Sequence, residues 1–105
     1  MFMRFLVAMN TGDPNRIADF IESNYAASAL REHELDELID YYLRVYDQTG
    51  GMDIHKVYYS QDYMVMVVTI ARNNGELYLD KLKVDDLPPY AMVEYLHSRP
   101  PVQHG

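Results

Sequence analysis

The side chains best placed to do chemistry in this chain of 105 residues are one acid, one histidine and a set of tyrosines. Asp80 falls in "LYLDKLKV", where apolar and polar residues alternate as in a half-buried strand. If Asn74-Gly75 is a two-residue hairpin turn, Asn73 pairs with Glu76, Thr69 lies opposite Asp80 and Val67 opposite Leu82. One face then carries Tyr63, Val65, Val67, Thr69, Tyr78, Asp80, Leu82 and Val84. The other carries Met64, Met66, Val68, Ile70, Leu77, Leu79, Lys81 and Lys83. The lysines mark the second face as the wetter one, so Asp80 sits on the more apolar side. A carboxylate lodged among apolar side chains keeps its proton more readily than one in water, and can act as general base or acid.

His55 is the second candidate base. A turn at "SQD" would face it the same way as Asp80, and a two-residue turn would face it the other way. Tyr59 and Tyr78 have hydroxyls able to donate to a developing oxyanion. Val67, Thr69 and Leu82 would complete the lining of a pocket for a small apolar substrate. The plainer reading of Asp80 carries more weight: an acid turned to water, or bonded to Thr69 or to a lysine.

Other constellations are weaker. His33, His97 and His104 show no metal-ligand spacing and read as surface histidines. The acids from Glu32 to Asp40 read as a solvated helix face. Gly50-Gly51 precedes a strand, not a helix, so it is no phosphate loop. No metal or cofactor is expected.

The elements that position these residues follow from periodicity. Phe2, Phe5, Leu6 and Met9 recur at helical spacing, and Gly12 suits the helix end. Asp13-Pro14 then starts a second helix, with Asp13 as cap and the stripe Ile17, Phe20, Ile21 and Tyr25. "NTGDPNRI" is thus a corner between helices. A third helix presents Leu35, Leu38, Ile39, Tyr42 and Tyr46 on one face. After Gly50-Gly51 the period becomes two, and strands are predicted at 52–60, 63–71, 77–84 and 90–97. "DDLPP" breaks the sheet before the last strand. Residues 1–97 form one domain, and 98–105 a loose tail. The fold class is α+β: N-terminal helices packed on a curved, antiparallel, four-stranded meander.

The predicted second strand, "YMVMVVTI", is apolar on both faces, so both need cover. The helices cover one. Met64, Met66, Val68 and Ile70 on the other are expected at an interface, as in a homodimer.

Composition limits the partners. The net charge of −7 disfavours nucleic acid, and no apolar run is long enough for a membrane. Without cysteine there is no disulfide and no thiol chemistry. With no targeting segment in this chain, cytoplasm is the default expectation.

The stretches "AMNTGDPNRIADFIESNYA", "GGMDIHKV" and "NNGELYLDKLKVDDLPPYAM" resemble short members of the cystatin-like, nuclear-transport-factor-like cone superfamily. They are most similar to accessory domains attached to beta-lactamase-like serine hydrolases and peptidases. The superfamily also includes polyketide cyclases, ketosteroid isomerases and dehydratases, all longer than this chain. The resemblance implies a non-catalytic accessory or small-ligand-binding domain, docked on a hydrolase of its parent chain or dimeric. In such a fusion it would be periplasmic or secreted. The alternative it implies is a small isomerase, cyclase or dehydratase using Asp80 or His55 as base.

Overall fold

Four helices precede four strands in the computed structural model, which describes residues 1–61, 63–86 and 88–99. Helix α1 spans Phe2–Asn10 and α2 spans Pro14–Asn24. The corner between them forms as its residues dictate. Gly12 takes a positive φ of 62°, and Asp13 accepts the Asn15 amide at 2.9 Å as the cap of α2. A side chain at Gly12 would also collide with the Tyr46 ring, whose nearest carbon lies 2.5 Å from where a Cβ would sit.

Tyr25 does not continue the second helix. It is the extended C-cap of α2, and it bridges in parallel to Met92 while the Ala26 amide donates to the Met92 carbonyl at 2.8 Å. Docking on the last strand thus takes the backbone groups that another helical turn would have used. A short helix that periodicity did not predict, α3 (Ala27–Glu32), follows. Helix α4 (Leu35–Thr49) ends at Gly50, which is left-handed with φ 65°.

The strands are β1 (Met52–Gln61), β2 (Met64–Ala71), β3 (Leu77–Val84) and β4 (Met92–Ser98), antiparallel in the order β1-β2-β3-β4. The fold is therefore α+β, with an open meander after the helices. Ser98, placed in the tail by sequence, belongs to β4 and pairs with Leu79. Residues 100–105 of that tail, including His104, lie outside the described residues. Register shifts at His55 and Tyr58 make two irregularities in β1, of the kind that bend a strand.

The β2–β3 register differs from the predicted one. Val67 pairs with Asp80, and Thr69 with Tyr78. The connection is not a two-residue turn. Ala71 donates to the Glu76 carbonyl at 2.9 Å, and Gly75 donates back to the Ala71 carbonyl at 2.8 Å, which leaves residues 72–75 as the loop. Asn73 belongs to that loop because it is tied to α4: its amide donates to the Thr49 carbonyl and its side chain to the Gln48 carbonyl. The slip is two residues, so every side chain keeps its predicted face.

The helices pack on the face bearing Met52, Leu82, Met92 and Tyr95, which join the helical core around Phe5. The Phe5 ring centroid lies 4.5 Å from that of Tyr95 and 5.6 Å from that of Tyr42, so aromatic rings join helices to sheet. Asn10 anchors α1 to the sheet through both backbone groups of Met52.

Candidate functional site

Asp80 is completely buried in the middle of β3. Three groups converge on its carboxylate. Thr69 donates its hydroxyl to Oδ2 at 2.5 Å, Tyr95 donates to Oδ1 at 2.5 Å, and His97 Nδ1 lies 2.7 Å from Oδ1. The strands make this cluster. His97 is directly across from Asp80 on β4, while Tyr95 and Thr69 are its diagonal neighbours on the same face, from β4 and β2. A carboxylate only accepts, so Nδ1 carries the hydrogen of the His97 bond.

That arrangement leaves Nε2 as the free nitrogen of His97. It is buried and has no hydrogen-bond partner among the described residues. The Tyr78 ring stacks on the imidazole at a centroid distance of 4.4 Å, and the Arg99 guanidinium covers Tyr78 at 5.3 Å. The Tyr95 hydroxyl is pushed well above its ordinary pKa, first by burial and then by the adjacent Asp80 charge.

The sequence-derived candidates separate into two groups. Val67, Thr69, Tyr78 and Leu82 are buried on the helix-side face with Asp80. His55 does not join them. It is exposed at a β1 irregularity and separated from β3 by the whole of β2. Tyr59 pairs with Met66 on the opposite face, so it cannot serve the same site as Asp80. Met64, Met66, Val68 and Ile70 are half-buried on that opposite face. Of the expected pocket residues, Leu82 borders a cavity of about 380 Å³ with Phe2, Val65 and Tyr90.

Sequence reasoning missed His97 and Tyr95. His97, read as a surface histidine, has a side chain only 6% exposed. The alternation of Tyr95 and His97 against Glu94 and Leu96 was the available signal. The irregularity where β4 meets Lys83 and Val84 hides its phase from a simple count.

A second feature lies between α3, α4 and β4. There a cleft of about 570 Å³ is lined by Tyr25, Tyr41, Tyr42 and Tyr95, with acids at its rim. The Tyr25 and Tyr42 hydroxyls bond each other at 2.7 Å in the interior. Burial pushes both phenols up, Tyr25 to about 12. The Tyr41 hydroxyl accepts the His97 backbone amide at 2.9 Å. Among the described residues no group of three or more histidines, cysteines or acids is arranged to hold a metal, and no helix is long and apolar enough to cross a membrane.

No known family, curated protein or solved structure matches the chain.

Proposed function

We propose that this is a non-catalytic accessory or ligand-binding domain that associates through the outer face of its sheet, as a homodimer or docked on a hydrolase of its parent chain. The observation that carries the reading is the state of that face. Met64, Met66, Val68 and Ile70 run along β2 with Leu77 and Leu96 exposed nearby, while the helical core gathers on the other side. Contiguous apolar surface of this kind is characteristic of an interface. The Lys81–Glu94 pair at 3.2 Å borders the stripe, giving the face a polar rim. The Asp80 cluster supports the non-catalytic half. Its carboxylate is sealed from solvent and already accepts three hydrogen bonds. Resemblance to hydrolase-linked accessory domains points the same way.

Light scattering at micromolar concentration tests the homodimer, with an expected mass near twice 12.3 kDa. Met66→Glu with Val68→Glu should return the chain to one copy without unfolding it. A wild-type protein that stays monomeric and soluble sinks the homodimer.

One observation favours a second reading, a small isomerase, cyclase or dehydratase. His97 Nε2 is unpartnered, and Asp80 holds the ring as a carboxylate holds a catalytic imidazole. In this reading the base is His97, with Asp80 orienting it and His55 taking no part. A nitrogen-15 spectrum of His97 that is unchanged by every small carbonyl compound tried would remove it.

A further inference from the structure

We propose that the strip of sheet between α1 and the free edge of β1 docks an amphipathic helix of a partner protein, one whose apolar stripe is flanked by acids. The strip is on the helix side of the sheet, so it is independent of the outer face.

The register defines the strip. Ile54 pairs with Thr69 and Val57 with Val67, and opposite residues share a face. Thr69 and Val67 are buried on the helix side, whereas Ile54 and Val57 on that same face are 42% and 57% exposed. The helical layer thus stops short of β1. The helix that borders β1 is α1. Met3, Val7 and Asn10 stand at i, i+4 and i+7, on one face of that helix. Asn10 holds both backbone groups of Met52, the first residue of β1. That face of α1 therefore looks along β1, and it presents Met3 and Val7 at 60% and 66% exposure. Four apolar side chains from two elements border one uncovered strip. At the N-terminal end of α1 the strip opens into the cavity of about 380 Å³ where Phe2, Arg4 and Val65 meet, Val65 being the β2 partner of Ser60 in β1. A recess beside an apolar strip is where an interface buries an anchor side chain.

Two observations select the occupant. β1 is an edge strand, but register shifts at His55 and Tyr58 interrupt its ladder. A bulged edge pairs poorly with an added strand, so an extended peptide is disfavoured, and a helix laid beside α1 completes the layer. Charge selects the flanks of that helix. α1 carries Arg4 and no acid. β1 carries Lys56 and a single acid, Asp53, whose two oxygens are held by Arg72 at 2.8 and 3.1 Å. Neither Arg4 nor Lys56 has an acid within salt-bridge distance among the described residues. On a chain of net charge −7, the two walls of the strip thus lean positive. A second copy docked across a two-fold axis would bring these like charges together. Acids beside a partner's apolar stripe would instead meet Arg4 and Lys56.

The test is fluorescence anisotropy of two labelled helical peptides titrated with the intact chain. Each has about 20 residues, because a helix of that length, about 30 Å, matches the ten residues of β1. They share one leucine stripe and differ in its flanks, glutamate in one and lysine in the other. Saturable binding of the glutamate peptide is expected, with the lysine peptide about tenfold weaker in spite of the net charge of −7. Val7→Thr with Val57→Thr should weaken the glutamate peptide by about tenfold, since two apolar contacts are lost without a change in charge. Both positions are exposed, so this variant should melt with the parent. Arg4→Gln with Lys56→Gln should weaken the glutamate peptide and not the lysine peptide. Met66→Thr with Val68→Thr, on the outer face, should bind as the parent does. The proposal is overturned by a lysine peptide that binds as tightly as the glutamate one, by binding without saturation, by unchanged binding in Val7→Thr with Val57→Thr, or by equal loss in the outer-face variant. A scattering mass lowered by Val7→Thr with Val57→Thr would put a second copy in the strip, and cosedimentation with phosphatidylserine vesicles that this variant loses would put a membrane there. Either result overturns it too. The outer face is read separately: a parent chain that is monomeric and binds the glutamate peptide removes the homodimer and leaves this site standing.

Discussion

His97 Nδ1 lies 2.7 Å from Asp80 Oδ1, and neither side chain reaches solvent to any useful extent, at 6% and 0% exposure. The two residues are cross-strand partners on β3 and β4. Their pairing was in neither reading of Asp80 that the alternation of β3 allowed, an acid lodged among apolar side chains or one turned to water or bonded to Thr69 or a lysine. Asp80 is held by Thr69 on one oxygen and by Tyr95 and His97 on the other. The carboxylate therefore ties three strands together beneath the helices.

Asp80→Asn should destabilise the protein near neutral pH by about 2–3 kcal/mol, since it discards charge-assisted bonds and strands buried donors. An isolated buried acid would give the opposite result, a gain on neutralisation. Thr69→Val should cost less, about 1–2 kcal/mol, because the other oxygen keeps both its donors. Urea melts of the three proteins settle the matter. An Asn variant as stable as the parent would show that the cluster contributes nothing to folding.

Alkaline stability follows from Tyr25 and Tyr42. Burial raises both phenols in the folded chain, Tyr25 from 10.0 to about 12. The folded state thus holds these protons more tightly than the unfolded one. That contribution is complete below pH 10 and is lost as pH rises through about 12. Melting temperatures should be level up to the lower bound and then fall steeply. Tyr25→Phe with Tyr42→Phe removes both hydroxyls together, leaves no unpaired partner, and should flatten the fall. An unchanged profile in the double variant would mean other groups govern the transition.

The α1–α2 corner depends on its cap. Asp13→Ala should cost about 0.5–2 kcal/mol, and Asp13→Ser should recover most of that. The nearby Arg16 contributes little to this, being 3.9 Å away and largely exposed. Thermal melts of the three proteins test it. Identical melting temperatures would leave the Asn15 hydrogen bond without energetic weight.

Local chemistry made much of this fold readable. Asp13-Pro14 starts a helix because the cap and the fixed φ are properties of those residues and their neighbours. The faces of β2 and β3 follow from a period of two, which survived even though the register slipped by two. That Val67, Thr69, Asp80 and Leu82 share one face was therefore legible before any coordinates, whereas the full burial of Asp80 was not, since an acid turned to water or bonded to a neighbour was the weightier reading. What bonds to Asp80 was legible only in part. Thr69 was a named alternative, whereas Tyr95 and His97 come from β4, beyond a loop and an irregularity that no local pattern measures. The register itself was set from outside the hairpin, where α4 holds Asn73 through the Thr49 and Gln48 carbonyls. His55 is exposed like all its neighbours from Asp53 to Tyr58, because β1 is an edge strand that the core covers only at Met52. Periodicity decides which way a side chain points, because that depends on adjacent backbone geometry. Which residue it meets depends on how distant segments dock, and only the packed structure decides that.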